Sequence, residues 1–337
     1  MLISTAVTAR AIALPPLRWH RPLLALAAVL AIAIVPVTIG WLVDDRQLQG
    51  VGVWAKPLKF LLSGVLYAVT WSWIIGQFTR WRRAAWWAGT IITVTLAVEL
   101  VIIIGFAAVG LRSHFAVDTP LATTAWAIMA AAITTLWVAT LVAALALWRN
   151  PGADQARTAA LRTGVVISLI GMGLAFLMTG PTADQLGDFQ GVAGAHAVGV
   201  DDGGPGIPLL GWSTEGGDLR IPHFIGMHAL QAIPLLALGL ELLARRVTVL
   251  ARVTARRSLV RVGASTWLAV TALVTVQALR GQSIVQPDAA TFVAGAAIAV
   301  MAAAATTVVL HREVRAPRSA GRSLAEQPER EAPSLSA

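Results

Sequence analysis

Several ionisable side chains stand inside long apolar stretches of this sequence, and Glu99 is the clearest of them. It occurs in Val-Glu-Leu-Val-Ile-Ile-Ile, near the middle of a stretch long enough to cross a lipid bilayer. A carboxylate at the centre of a bilayer costs about 3 kcal/mol on insertion scales unless it is protonated, paired or hydrated. Glu99 is therefore predicted to be a functional acid or base. The alternative is a protonated side chain that hydrogen-bonds a neighbouring helix.

A second polar stretch, Ile-Pro-His-Phe-Ile-Gly-Met-His-Ala-Leu-Gln, contributes His223, His228 and Gln231. On one helix the two histidines are about 140° apart, with Gln231 on the same broad face, and Pro234 is expected to kink the helix. His228 and Gln231 lie at roughly the depth of Glu99, so contact between them is expected. Glu99, His228 and Gln231 are the predicted catalytic group. The alternative for the histidines is bonding to backbone or to other helices.

Lys56 and Lys59 are the only lysines in the chain, and both occur in Trp-Ala-Lys-Pro-Leu-Lys-Phe at the start of an apolar stretch. One polar stripe at helical spacing contains five residues: Lys56, Lys59, Ser63, Tyr67 and Thr70. Such a stripe is expected to face the other helices rather than lipid. Lys56, Lys59, Tyr67 and the loop residue Arg220 are therefore predicted to bind a substrate. The alternative for the lysines is extension to the outer lipid headgroups.

Loop residues add a metal-binding hypothesis, in which His114, His223 and Asp218 hold an ion, since imidazole and carboxylate are common metal ligands. Haem fits the spacing less well. A transmembrane di-haem bundle would need paired histidines near both membrane faces, and the inner half of the apolar stretches has none. His196, alone in a Gly/Ala stretch, is expected to be solvated, and the segment 201–206 is expected to form a flexible tip.

The amino-acid composition indicates which kind of secondary structure positions these residues. Of the 337 residues, 57% are hydrophobic and 13% are charged, whereas a soluble domain is about 45–50% apolar and about 25% charged. The absence of cysteine excludes disulfides, thiolate metal ligands and a cysteine nucleophile. About eight stretches are long enough to span a membrane: 22–42, 57–75, 84–110, 120–148, 161–180, 221–244, 259–279 and 289–310. The sequence predicts an all-α, polytopic membrane helix bundle, because a barrel would show short alternating strands.

The arginines determine the predicted topology, because positively charged loops stay in the cytoplasm. Most of the 26 basic residues lie in alternate connections and in the two tails, which places both termini in the cytoplasm. The net charge of +9 thus comes from basic residues that orient the protein in the membrane, and we expect the lipid bilayer as a partner rather than nucleic acid. The predicted parts are a cytoplasmic tail (1–21), a transmembrane domain (22–310) with a long extracytoplasmic Gly/Asp-rich loop (181–220), and a disordered cytoplasmic tail (311–337).

The segments Trp-Ala-Lys-Pro-Leu-Lys-Phe, Arg-Ser-His-Phe and Gly-Gly-Asp-Leu-Arg-Ile-Pro-His-Phe-Ile-Gly-Met-His-Ala-Leu-Gln resemble a family of uncharacterised bacterial multi-pass membrane proteins. The resemblance covers most of the membrane region and implies no particular activity. It is consistent with a place in the bacterial cytoplasmic membrane.

Three functional classes remain open. The first is a metal- or redox-dependent membrane enzyme with an outward-facing polar pocket, acting on a small molecule or a lipid. The second is a small-solute or proton-coupled transporter, against which stand the lack of an internal repeat and an apolar inner half. The third is a structural or assembly protein, in which the polar residues only hold helices together.

Overall fold

The computed structural model describes residues 18–150, 152 and 154–316. Its helices within those ranges are α1 (Arg21–Val43), α2 (Ala55–Gly76), α3 (Arg82–Ala108), α4 (Pro120–Arg149), α5 (Gln155–Leu174), α6 (Ala183–Gly187), α7 (Arg220–Met227), α8 (Ala229–Leu243), α9 (Val253–Leu279) and α10 (Ala289–Arg315). Short 3₁₀ turns cover Ala175–Met178 and Thr248–Ala251. The described chain is therefore mostly helical with almost no sheet, as its sequence predicts.

Seven of the described helices are long and apolar enough to cross a membrane, and the pair α7–α8 makes an eighth if it is counted as one span. The predicted multi-pass helix bundle is thereby confirmed. One predicted end differs. Helix α10 continues to Arg315, past the predicted end of its span at residue 310. The predicted tails lie outside the described residues except for 18–21 and 311–316.

The sixth predicted span is broken rather than continuous. Helices α7 and α8 meet at His228 with a bend of 42°. The sequence places a kink at Pro234, but this proline lies inside α8, beyond the break. The break divides the polar residues of this span between a short outer helix and the start of a longer one.

Helix α5 packs tightly against α7 because both carry a glycine at the crossing. A Cβ atom at Gly171 would lie 2.2 Å from the backbone nitrogen of Met227, and one at Gly226 would lie 2.5 Å from the Cα atom of Gly171. Small residues let helix backbones approach closely in a membrane, where packing and hydrogen bonds rather than water exclusion hold helices together. This contact fixes the position of His223 relative to α5.

The largest buried cluster joins α1, α2, α3, α4, α5 and the start of α8. The side chain of Trp71 is fully buried in this cluster, which also contains small buried residues such as Ala68, Ala139 and Ala143. The cluster extends from Tyr67 toward the end of the bundle where α2 and α4 end and α3 begins. That half of the bundle is consequently packed with apolar side chains.

The other end of the bundle carries a cap formed by the segments 44–54, 109–119, 179–219 and 280–288. Two short antiparallel pairs stabilise it: β1 (Gln47–Leu48) with β2 (Val51–Gly52), and β3 (Ala197–Val198) with β4 (Gly217–Asp218). The second pair joins the middle of the long loop to its end, just before α7 begins. The loop thereby folds back over the helix ends.

Candidate functional site

The polar stripe of α2 faces the interior of the bundle. Lys56, Lys59, Ser63 and Tyr67 all line a cavity of ≈ 330 Å³ beneath the cap. The cavity, hereafter the capped cavity, also borders on α3, α4, α5 and α7. Four residues that follow one another at helical spacing on a single helix therefore contribute to one wall.

Glu99 lines the capped cavity from α3, and only 5% of its surface is exposed. It lies about 13 Å along the helix from the capped end of α3, counting 1.5 Å per residue to Ala108. The ion pairs of the described residues do not include Glu99 or Lys56. The Lys56 ammonium lies 6.0 Å from the centre of the Phe60 ring. These two opposite charges thus remain available to a ligand.

The remaining walls are largely apolar and adaptable. Four of the six methionines in the chain line the capped cavity: Met129, Met172, Met178 and Met227. Three tryptophans line it as well: Trp126, Trp137 and Trp212. Methionine side chains are flexible and polarisable and adjust to irregular apolar surfaces. Such walls suit an apolar body attached to the group that meets the charges.

Tyr67 is the last residue of α2 that lines the capped cavity. Its hydroxyl group hydrogen-bonds Thr140 on α4, and its ring belongs to the main apolar cluster together with Trp71 and Leu136. Below this point the bundle is filled by apolar side chains. The polar groups of the cavity are therefore confined to the capped half.

His114 enters the cavity from the loop between α3 and α4. Its Nδ1 atom lies 3.1 Å from the hydroxyl of Ser113, and its ring packs against Trp126 at 5.4 Å and Phe115 at 6.0 Å between centroids. Burial lowers the pKa of His114 well below its ordinary value. A neutral imidazole therefore lines the cavity, and it can accept or donate a hydrogen bond.

His196 and Asp202 also line the cavity, although sequence analysis missed both. The expectation that His196 is solvated is wrong: its Nδ1 lies 2.7 Å from Asp202 Oδ2, and its ring packs against Phe115. The Asp202 carboxylate also accepts hydrogen bonds from the backbone of His196 and Ala197. This anchoring replaces the expected free tip at that residue. No local pattern identifies the pair, because it depends on how the loop folds.

Burial lowers the pKa of His196, although the bond to Asp202 acts in the opposite direction. Burial opposes ionisation of Asp202 as well, but the hydrogen bonds from His196 and Ala197 hold the pKa of this carboxyl group well below its usual range. At neutral pH the Asp202 carboxylate therefore accepts a hydrogen bond from the neutral imidazole of His196, and this bond links two parts of the long loop.

Arg220 and Asp218 form a pair at the point where the loop enters α7. The guanidinium group binds both carboxylate oxygens and also donates to the Gly211 carbonyl. Asp218 is 1% exposed and accepts a further bond from the Ser213 backbone. Arg220 lines the capped cavity and Asp218 does not. The carboxylate thus neutralises and orients the arginine.

The predicted metal set is not assembled. Within residues 18–150, 152 and 154–316, no three His, Asp or Glu side chains are grouped so that they could hold a metal ion. Asp218 is occupied by Arg220, and His223 donates its Nδ1 proton to the carbonyl of Gly171 at 2.8 Å. His223 and His114 both border the cavity but bond to different elements.

The predicted catalytic group is divided as well. Glu99 lines the capped cavity, whereas His228 and Gln231 do not. His228 lies 3.4 Å from Ser63 Oγ and 3.2 Å from Gln231 Oε1. Gln231 in turn donates to Thr70 Oγ1 at 3.3 Å. Both side chains therefore bind the break in the sixth span to α2, which matches the alternative of interhelical bonding.

Comparisons with protein-family models, with curated proteins and with solved structures found no match to this chain. The resemblance to uncharacterised bacterial membrane proteins therefore stays a prediction. The capped cavity itself supplies the basis for a function.

Its chemistry is that of a small, mostly apolar chamber with a few directed polar groups. Lys59 donates to the Leu210 carbonyl at 2.6 Å, and Arg220 is held by Asp218. Lys56 and Glu99 have no such fixed partner among the described ion pairs. The arrangement can bind a negatively charged group near the lysines and exchange a proton at Glu99.

Proposed function

We propose that the protein is a membrane-embedded enzyme that takes a small amphipathic anion into the capped cavity. In this proposal Lys56 and Lys59 bind the anionic group, and Glu99 transfers a proton to or from the bound molecule. The single observation that supports it is that Lys56 and Glu99 line one cavity without an ion-pair partner among the described residues. Unpaired ionisable groups in membrane spans favour a functional role.

The anionic character of the ligand follows from the charges on the cavity wall. Lys56, Lys59 and Arg220 are cationic, and Asp218 offsets only the last of them. Asp202 is turned toward His196 and the backbone of its own loop. An anionic group placed between the two lysines would be attracted by both ammonium groups.

The amphipathic character follows from the other walls. Methionine and tryptophan side chains surround most of the space, and a volume of ≈ 330 Å³ lies at the lower end of ordinary small-molecule sites, which are about 300–1,000 Å³. A short acyl or prenyl chain, or one aromatic ring system, fits such a chamber. A fully hydrophilic solute would leave its polar groups without partners there.

The predicted topology places the cap outside the cytoplasm, so the proposed substrate arrives from the outer leaflet or the extracytoplasmic space. A metal ion or redox group, as the sequence also suggests, remains a prediction. An absorption spectrum and elemental analysis of the purified protein would test it.

A transporter is the second candidate, and the broken span favours it. Discontinuous helices with polar residues at the break are common in secondary transporters, and α7–α8 break at His228 with a bend of 42°. The apolar packing below Tyr67 favours the enzyme, because a transporter would have to open that half of the bundle. Uptake into proteoliposomes of a ligand that binds the cavity would support transport.

A charge-matched binding experiment tests the proposal. Purified full-length protein is heated with decanoate, decyl phosphate or decyltrimethylammonium, all below their micellar concentrations, and unfolding is followed by intrinsic tryptophan fluorescence. The two anions should stabilise the protein and the cation should not, because a ligand of the folded state raises its stability. Lys56→Met should remove the effect. Glu215→Gln, an exposed cap residue that does not line the cavity, should keep it.

Equal stabilisation by the cation, or an unchanged anion effect in Lys56→Met, would contradict the proposal. Small molecules that co-purify with the protein and are lost in Lys56→Met can be identified by mass spectrometry. This second measurement does not depend on the choice of probe.

A further inference from the structure

A second cleft lies at the end of the bundle opposite to the cap, where α1 and α3 begin and α2 ends. Its volume is ≈ 590 Å³, and its lining includes Arg18, Arg21, Arg82 and the rings of Trp19 and Trp86. We call it the arginine cleft. It shares no lining residue with the capped cavity. It therefore calls for an explanation of its own.

The three arginines have no acidic partner in the part of the chain that the structure describes. The ion pairs found there involve other residues. At the same end of the bundle, by contrast, Arg157 pairs with Glu241. The sequence of residues 1–17 contains no Asp or Glu that could act as a counter-ion.

The backbone on one side of the cleft is fixed to α2. His20 N donates to the Ser72 carbonyl at 3.0 Å, and Ser72 Oγ donates to the His20 carbonyl at 2.9 Å. Gln77 Nε2 donates to the Arg18 carbonyl at 2.8 Å. A Cβ atom at Gly76 would lie 2.0 Å from that same carbonyl oxygen, so only glycine permits this approach. Arg18 and Arg21 thus lie on a segment whose backbone is held in place by hydrogen bonds to α2 and to Gln77 at its end.

The other side of the cleft is fixed to α3. His20 is 2% exposed, and its Nε2 donates to the Trp86 carbonyl at 3.0 Å. Trp86 lies one helical turn after Arg82 on the same helix. The fold thereby holds three like charges around one space, an arrangement that is unfavourable by itself and favourable once an anion enters.

We propose that the arginine cleft binds the phosphate group of an anionic membrane lipid. Guanidinium groups match phosphate oxygens with paired hydrogen bonds, and basic pockets between helices on the cytoplasmic side of membranes bind anionic headgroups. Tryptophans suit the headgroup level. Leu24, Ile75 and Phe78 also line the cleft and offer an apolar surface to the first carbons of an acyl chain. A lipid would contact both the arginines and this apolar surface, whereas free phosphate would contact the arginines alone.

Native mass spectrometry of the full-length protein in detergent tests this site, with phosphatidylglycerol and phosphatidylcholine as probes. One phosphatidylglycerol should bind tightly and phosphatidylcholine should not. Arg82→Gln should weaken that binding about tenfold, which corresponds to one charge-assisted hydrogen bond. Arg83→Gln is the matched control: it removes the same charge from the next position on α3, which is also exposed and does not line the cleft.

Several results would overturn the proposal. Equal losses in Arg82→Gln and Arg83→Gln would indicate general surface charge rather than a site. Displacement of the lipid by millimolar inorganic phosphate would assign the cleft to free phosphate. Equal binding of phosphatidylcholine would remove the role of headgroup charge. If Arg82→Gln does not fold, Arg82→Lys keeps the charge but loses the planar fork, and it should still bind phosphatidylglycerol more weakly than the unchanged protein.

Discussion

Lys56 and Glu99 line the same cavity, yet the ion pairs of the described residues include neither of them. Lys56 begins α2 at the cap, whereas Glu99 lies deeper on α3. If the two residues had only a structural role, their side chains would be expected to form an ion pair, since an isolated charge in a membrane protein is costly. Both groups therefore line the cavity without a direct ion pair between them.

Glu99→Gln is expected to separate binding from chemistry. The amide has nearly the same shape but cannot take up a proton, so anionic ligands should still stabilise the protein while their conversion falls about 10²–10⁴-fold. Thermal shift with decanoate measures the binding. Mass spectrometry of the co-purified molecule, before and after incubation with the protein, measures the conversion. An unchanged conversion rate would remove Glu99 from the mechanism.

Gly171→Ala is expected to destabilise the bundle. The new methyl group would collide with the backbone of α7 at Met227, and overpacking of this kind costs about 1–3 kcal/mol. Gly173→Ala, two positions further along α5, meets only Trp137 Nε1 at 4.0 Å and should leave the unfolding temperature nearly unchanged. Equal unfolding temperatures for the two variants would show that the helices do not approach as closely as described.

Acidification is expected to loosen the cap. Burial lowers the pKa of His196 and His114 in the folded protein, so the unfolded chain binds more protons at acidic pH. Their contribution to stability is therefore complete above the unfolded value of about 6.5 and is lost as the pH falls below it. After correction for the lower intrinsic exchange rate of amides at acidic pH, the segment 179–219 should show weaker hydrogen-exchange protection at pH 5 than at pH 7.5.

A double variant, His114→Gln with His196→Gln, controls for this pH effect. It should show a smaller difference in hydrogen-exchange protection between the two pH values, because the two imidazole groups that gain a proton are gone. The same pH dependence in the double variant would assign the effect to other titrating groups.

The predicted topology can be tested by cysteine labelling, because the natural chain has no cysteine to give a background. Cysteines placed at the exposed positions Asp201 and Glu215 should react with an impermeant maleimide added to intact cells. Cysteines at Ala84 and Thr248, which are exposed at the opposite end, should react only after lysis. The reverse pattern would place the capped cavity on the cytoplasmic side.

The predictions that succeeded are those that depend on one helix at a time. The stripe of α2 was visible in the spacing of Lys56, Lys59 and Tyr67, and all three line the cavity. The predicted contact of Glu99 with His228 stays a prediction, and the side-chain hydrogen bonds of His228 go to Ser63 and Gln231. Equal depth in a membrane leaves the direction around the helix axis undetermined, and His228 turns toward Ser63 instead.

The amino-acid sequence by itself determined that this protein lies in a lipid bilayer, where its helical spans are, and which half of the bundle holds its polar residues. Long apolar runs have only one stable form in a bilayer, because every backbone polar group must be bonded within the segment. The tertiary structure alone decided which polar residues meet. The pair of His196 with Asp202 and the gathering of Arg18, Arg21 and Arg82 each join separate elements. Such contacts depend on helix rotation and loop closure, which no local pattern encodes.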